Sequence, residues 1–283
     1  MNNMRRKTIA QDTVRILELG QYSTPSGRQV DLRSALADCL NGTQCYDPDS
    51  LRNTREQVLK QPVRFSETDF DVINETTLQG AARLAAKPAE RRIAVLNFAS
   101  AKNPGGGFLG GAHAQEESLA RSSGLYHSLL QCRSYYEYHR SHSSCVYSDR
   151  MIYSPGCPIF RADDGALLEE PHVVDFITSP APNAGVIRER EPEMAGDMAN
   201  VLRERGSKVL ALASFHGCDA LVLGAWGCGV FRNDPGMVAQ TFFELLSREG
   251  RFYGRFQKVL FSVLDSSASG ATYRAFAERF VNC

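Results

Sequence analysis

The chain has 283 residues, 43% of them hydrophobic and 23% charged, enough to bury a core in one large domain or two small ones. Its 32 Lys and Arg balance 32 Asp and Glu, so the formal charge is zero and no basic groove for duplex nucleic acid is expected. No run reaches the roughly 18 apolar residues of a membrane span, and "MNNMRRKTIAQDTVRILELG" lacks the apolar region of a secretory signal, so the expectation is a reduced, cytoplasmic protein.

Residues 5–18 carry Ile9, Val14, Ile16 and Leu17 as partial apolar cover and predict a helix. "YSTPSGRQVDL" puts Pro25 and Gly27 in a turn between two short extended pieces, a hairpin. Helical stretches follow around 32–40 and 49–60. Residues 1–62 offer no chemistry and read as a mainly helical extension packed on a core spanning 63–283. In that core "VRFSETDF" alternates as a strand, and Thr76 and Thr77 offer caps for a helix through Ala86 that Pro88 stops. "RIAVLNFA" is the continuous apolar run of a strand covered on both faces. "SLARSSGLYHSLLQC" predicts a helix and "VVDFIT" a buried strand that ends at "TSPAPN". Met194, Met198, Val201, Leu202, Val209 and Leu212 recur near helical spacing, predicting a helix over 193–216 that Gly217 stops. "ALVLGAW" and "KVLFSVL" are further buried strands; Asp234 and Pro235 open the helix between them, and Ala271–Phe280 closes the chain. Strands alternating with helices imply an α/β fold with a mostly parallel sheet between helix layers.

Two of the buried strands run into glycine-rich loops, "NPGGGFLGG" and "GAWGCGVF". Ligands of open α/β sheets sit beyond the carboxyl ends of the strands. Glycines there let successive backbone N–H groups close on an anion, so the two loops could grip a diphosphate from both sides. Gly105, Gly107 and Gly110 satisfy G-x-G-x-x-G, but "AHAQEE" and a helix follow rather than a second strand, so the match carries no dinucleotide reading. Glu116 and Glu117 stand where the first loop becomes a helix. Acids favour the first helical turn for the dipole alone. Beyond a phosphate loop, however, a carboxylate can also reach the attached sugar, protonate a glycosidic oxygen and then activate water.

Gly105-Gly106-Gly107, seven residues, then Gln115-Glu116-Glu117 resembles the signature of the poly(ADP-ribose) glycohydrolases, and "NPGGGFLGGAHAQEESLARSSGLY" resembles the microbial branch. The likeness extends through "TSPAPN" and "GAWGCGVF" over most of residues 63–283. It implies a macrodomain-like mixed sheet sandwiched between helices, with ADP-ribose lying across its crest. It implies Glu117 as catalytic acid and base, Glu116 on the ribose hydroxyls and Gln115 shaping the loop. Gly105, Gly106 and Gly107 would border the diphosphate and distal ribose, and Asn103 would contact ribose. Gly227, Cys228, Gly229 and Val230 would form the second diphosphate loop, with Phe231 on the terminal ribose. Thr178, Ser179 and Asn183 are pocket candidates, and Glu75 and Phe70 lie near the expected rim. The implied activity is hydrolysis of poly(ADP-ribose), mainly from the chain end to release ADP-ribose. That reverses ADP-ribosylation of proteins, with the DNA damage response as setting and no cofactor. A non-catalytic ADP-ribose reader and a mono-ADP-ribosyl-protein hydrolase are the alternatives.

The eight cysteines form no C-x-x-C pair and have no histidine at zinc-finger spacing, so no metal site is expected. A disulfide framework is not expected either in a chain of this size without a secretory signal. Cys228 reads as a small filler, Trp226 as core, His113 as a loop-surface residue, His216 as a helix end and "RERE" at 188–191 as a solvated charge run.

Overall fold

The computed structural model describes residues 1–86 and 92–281; Pro88, the expected helix stop, lies outside them. The N-terminal part holds α1 (Asn3–Leu19), β1 (Gln21–Ser23), β2 (Gln29–Asp31), α2 (Arg33–Gly42), β3 (Gln44–Tyr46) and α3 (Pro48–Lys60). Next come β4 (Asp69–Ile73), α4 (Thr77–Ala85), β5 (Ile93–Phe98), α5 (Gln115–Ser122), α6 (Leu125–Leu129) and α7 (Arg133–Ser141). The chain continues through β6 (Met151–Arg161), β7 (Leu167–Ser179), α8 (Ala184–Arg190), α9 (Met198–Phe215), β8 (Ala220–Leu223), α10 (Pro235–Leu246), β9 (Lys258–Ser262) and α11 (Ala271–Phe280). None of these helices is long and apolar enough to cross a membrane.

Local signals account for many boundaries. Thr76 caps α4 by accepting the Gln79 N–H at 3.1 Å, while the Gln79 side chain accepts the Thr76 N–H at 2.9 Å. Asp234 caps α10, with Pro235 at its first position. The expected hairpin is β1 paired with β2.

Seven strands form one sheet in the order β3-β6-β7-β5-β8-β9-β4. From β7 to β4 every neighbouring pair is parallel, and β6 and β3 are antiparallel additions at one edge. The mostly parallel expectation therefore describes five of the strands, and the sheet as a whole is mixed. Two strands of this sheet escape the sequence reading, β3 and β6, and the "SPGCP" of β6 carries two prolines and a glycine. A register shift between Ser154 and Cys157, with Gly156 at φ 53°, absorbs them. β3, inside the N-terminal segment, pairs with β6 at the sheet edge.

Helices cover both faces. On one, α9, α10 and α11 pack over Leu221, Val259 and Phe261, with Trp226 buried among them. On the other, α4, α5, α6 and α7 pack over Val95, Val222 and Leu260. Three boundaries differ from the sequence reading. The "VRFSETDF" strand starts only at Asp69, because Arg64 and Phe65 donate to Gly254 O instead of to a strand. The helix expected over 118–132 breaks at Ser123, which bridges to Ile159. The helix expected over 193–216 begins as a 3-10 turn and becomes α-helical at Met198.

A disulfide joins Cys45 of β3 to Cys132, against the expectation of a reduced chain without disulfides. The two cysteines are 87 residues apart in sequence. The pairing of β3 with β6, and the packing of α6 on β6, set their Cα atoms 5.8 Å apart. The expectation rested on chain size and compartment, neither of which carries this geometry. A bridge closing so long a loop removes entropy from the unfolded chain. Replacing both cysteines by serine should lower stability by about 2–4 kcal/mol in urea denaturation, and a variant as stable as the oxidised wild type would count against the bridge.

Candidate active site

The carboxyl ends of β5, β8, β9 and β4 release their chains at the same end of the sheet. The connections there surround a cleft of about 730 Å³. Its walls come from the loop after β5 (residues 99–114), the loop after β8 (224–233), the turn between β4 and α4, and Ser262–Leu264 after β9.

The first loop is folded by its own backbone. Gly106 N donates to Asn103 O, Phe108 N to Gly105 O and Gly110 N to Gly107 O. Gly105 and Gly106 take φ of 69° and 59°, which L-residues adopt at a cost. Gly106 also needs to lack a side chain. A Cβ there would overlap the Glu117 carboxylate, 2.9 Å from its Cδ, and would lie 3.2 Å from Glu116 Oε2. Both carboxylates thus converge on one bare stretch of backbone.

Gln115 anchors the start of α5 to β5. Its Oε1 accepts the Phe98 N–H at 2.8 Å, and its Nε2 donates to Leu96 O at 2.8 Å and Thr77 Oγ1 at 3.2 Å. Glu117, at the third position of α5, accepts the Gly107 N–H at 3.0 Å and the Ala114 N–H at 3.1 Å. Its carboxylate therefore caps the helix and, half-buried, also lines the cleft. Glu116 is 3% exposed. It accepts the Ser100 N–H at 2.7 Å and the Asn97 Nδ2 hydrogen at 3.3 Å. Burial raises the Glu116 carboxyl to about 8, outweighing those two donors, and the neighbouring Glu117 charge pushes the same way. At neutral pH Glu116 is thus a largely protonated carboxyl, able to donate as well as accept.

The second loop differs in kind. Among the described residues, no protein acceptor takes the N–H groups of Gly229, Val230 and Phe231, three consecutive residues that line the cleft. Three consecutive free donors can hold an anion. The first loop spends most of its N–H groups on its own turns and on the two glutamates; those of Ala101, Leu109 and the cleft-lining His113 have no acceptor among the described residues. Gly227, at φ 74°, leaves room that a Cβ would close, 2.5 Å from both Ala181 Cβ and Asn233 Nδ2. Asn233, 3% exposed, holds the loop's base by donating to Pro182 O at 2.8 Å and Gly227 O at 3.1 Å.

Asn103, Gly106, Gly107, Gln115, Glu116, Glu117, Gly227, Cys228, Gly229, Val230 and Phe231 all line the cleft. Gly105 does not; it is buried against Phe108 and Ala120. Thr178, Ser179 and Asn183 stand behind the cleft instead of lining it. Thr178 Oγ1 accepts from Asn97 at 3.1 Å, Ser179 O accepts the Trp226 indole at 3.1 Å, and Asn183 caps α8. Glu75 reaches the cleft, whereas Phe70 packs on Phe280. Cys228 is half-buried at the cleft, and desolvation pushes its thiol up to about 12. His113 is exposed, as the loop-surface reading expects, and it also lines the cleft, where partial desolvation and then Arg121 lower its proton affinity. The "RERE" run is not merely solvated: Arg188 and Glu191 tie down two loops. Sequence reading missed Asn97, Ser100 and Tyr147. Asn97 had a visible signal, as the one amide within the apolar run "RIAVLNFA". Tyr147 had none. No group of three or more His, Cys, Asp or Glu among the described residues could hold a metal.

Residues 10–162 match the family model for the microbial-type PARG catalytic domain. A structure of poly(ADP-ribose) glycohydrolase from Thermomonospora curvata is 49% identical, covers 98% of this chain and 100% of its own, and superposes with a TM-score of 0.94. The same enzyme bound to the inhibitor ADP-HPD matches at the same identity and coverage, with a TM-score of 0.91. The Deinococcus radiodurans enzyme in complex with ADP-ribose is 48% identical over 88% of this chain and 98% of that one, with a TM-score of 0.82. No curated protein sequence matches the chain.

Glu116 leaves a pH signature. Unfolded, it titrates near 4.5; folded, near 8, so the native state holds the extra proton between those values. Its contribution to stability is therefore full below pH 4.5 and is lost as pH rises through 8, on the order of 5 kcal/mol. Glu116→Gln should remove that component. The stability of the variant relative to wild type, from denaturation at pH 5 to 8.5, should rise with pH, and parallel curves would show that the carboxyl is not held protonated.

Proposed function

Because the chain belongs to the microbial-type poly(ADP-ribose) glycohydrolase family, we propose that it hydrolyses the ribose–ribose O-glycosidic bonds of poly(ADP-ribose), mainly from the chain end, releasing ADP-ribose. The observation that carries this reading is the convergence of Glu116 and Glu117 over Gly106 at the wall of the cleft. A module that only bound ADP-ribose would have no need of a carboxylate pair facing open backbone.

The terminal diphosphate lies on the free N–H groups of Gly229, Val230 and Phe231, and the ring of Phe231 backs the distal ribose. Asn103 reaches the same sugar from the first loop. Glu116, neutral and fixed from below by Asn97 and Ser100, exchanges hydrogen bonds with the ribose hydroxyls. Glu117 in its acid form gives its proton to the leaving ribose oxygen as the glycosidic bond breaks, leaving an oxocarbenium-like sugar. Water then adds to the anomeric carbon and returns a proton to the Glu117 carboxylate. One carboxyl thus serves as acid and then as base, and the site is ready for the next unit.

Poly(ADP-ribose) and the ADP-ribosylated proteins that carry it are the partners in this reading. Reversal of ADP-ribosylation in the DNA damage response, in the cytoplasm, is the setting. In a reducing cytoplasm Cys45 and Cys132 would be thiols, and neither lines the cleft.

Glu117→Gln should release ADP-ribose from polymer at least about 100-fold more slowly than wild type while still binding ADP-ribose; wild-type turnover by that variant would end the assignment. Running mono-ADP-ribosylated protein beside polymer should show the faster release from polymer. Gly106→Ala, whose Cβ displaces the Glu117 carboxylate, should lose roughly 100-fold in kcat with its fold intact by circular dichroism.

A further inference from the structure

The backbone strain of this protein gathers at one contact beside the cleft. Among the described residues, only Tyr147, at φ 58°, and Arg232, at φ 55°, are non-glycine residues in the left-handed region. Such residues persist where their surroundings over-determine them. The ring of Tyr147 lies 5.9 Å, centroid to centroid, from that of Phe231, the residue before Arg232, and both rings line the cleft.

Each strained carbonyl is held by an arginine. Arg205 Nη2 donates to Tyr147 O at 3.1 Å, and Arg188 Nη2 to Arg232 O at 3.1 Å. Arg205 is 1% exposed. Its Nη1 donates to Val146 O at 3.0 Å and Pro180 O at 2.8 Å, and its Nε to Asp149 Oδ1 at 2.9 Å. Lys208 pairs with the other oxygen of Asp149. Glu191 accepts the Cys145 N–H at 2.7 Å and the Ser144 hydroxyl at 2.6 Å, and His139 Nε2 meets Ser148 Oγ at 2.9 Å. On the facing side, Gly185 N donates to Phe231 O at 3.0 Å. Residues 144–149 have no regular secondary structure, yet α7, α8 and α9 all fix them.

Glycine or asparagine would hold this backbone with less strain. The chain instead keeps an aromatic ring there, half-buried and turned to the cleft. Beneath the loop the buried Arg205 grips its carbonyls, and the buried His139 meets the ring edge-on at 5.9 Å, so the ring is held from below as its free face lines the cleft.

We propose that Tyr147 is a positioning residue for the hydrolysis: its ring backs Phe231, and the pair fixes the wall that holds the distal ribose with its anomeric carbon toward Glu117. This rests on the glycohydrolase reading above. Arg205 and Arg188 are the supports that keep the two rings in register.

The test is a double-mutant cycle on polymer hydrolysis. Tyr147→Asn suits the backbone and removes the ring, so it should match or exceed the wild type in thermal stability. It should lose roughly 10- to 100-fold in kcat, with most of the loss in kcat and little in KM. Phe231→Ala should lose a similar factor, and the double variant should lose no more than the worse single one. Tyr147→Phe should stay within about threefold of wild type, since it keeps the ring. Tyr147→Gly replaces the asparagine variant should that one fail to fold. Full activity in Tyr147→Asn or Tyr147→Gly, losses that multiply in the double variant, or a Tyr147→Phe as slow as Tyr147→Asn would each overturn the proposal. A wild type that released no ADP-ribose would instead remove the glycohydrolase reading, and the wild-type control separates the two failures.

Discussion

Glu116 sits at 3% exposure under the loop that follows β5, and the organisation of the cleft follows from how that carboxyl is accommodated. A buried ionised carboxylate with two donors would remain costly, so the group is held neutral by burial. The Ser100 N–H and the Asn97 amide fix its two oxygens, and farther along the loop turns sharply back beside the carboxyl. That turn in turn demands glycine at positions 105 and 106, where φ is positive. Once Gly106 is bare, the adjacent Glu117 can swing over it and cap α5 with the same carboxylate that faces the cleft. Helix capping and chemistry are two uses of one geometry, so the preference of acids for a first helical turn and the catalytic reading of Glu117 do not compete.

The two glycine-rich loops divide the labour. The first uses most of its N–H groups internally and presents carboxyl groups. The second leaves three consecutive N–H groups unpaired and presents no acid. An anion and an acid are best kept apart, because a diphosphate beside an ionised carboxylate would repel it. The division also explains why glycine is used differently in each: for tight turns and clearance of the glutamates in the first, for exposure of N–H donors and close packing on Asn233 in the second.

Polar side chains do much of the positioning. Gln115 binds α5 to β5, Asn233 binds the second loop to Pro182, and Arg205 binds the 144–149 segment to α9. Asn233 and Arg205 are buried and Gln115 is half-buried, and each satisfies backbone carbonyls or N–H groups. The rigid sheet places the loops at one end; these side chains decide their shape within that end.

The sequence by itself determined the elements whose signal is local. Thr76, Asp234 and Pro235 cap their helices through groups within one turn, and the apolar run at 92–99 is a strand because both its faces are covered. The triple glycine followed by Gln115, Glu116 and Glu117 marked the acid-bearing loop, since turn geometry and first-turn position are short-range constraints. Tertiary structure alone decided the rest. The antiparallel strand β6, one in from the sheet edge, was hidden by its prolines and depends on pairing with β7. The Cys45–Cys132 bridge depends on a β3–β6 contact across 87 residues. Gly105 was expected at the cleft and is packed beneath it, while Tyr147, with no motif around it, reaches the cleft because a buried arginine from a helix some sixty residues on fixes its carbonyl. Hydrogen bonds between distant segments leave no periodicity in either segment, and for that reason only the folded chain reveals them.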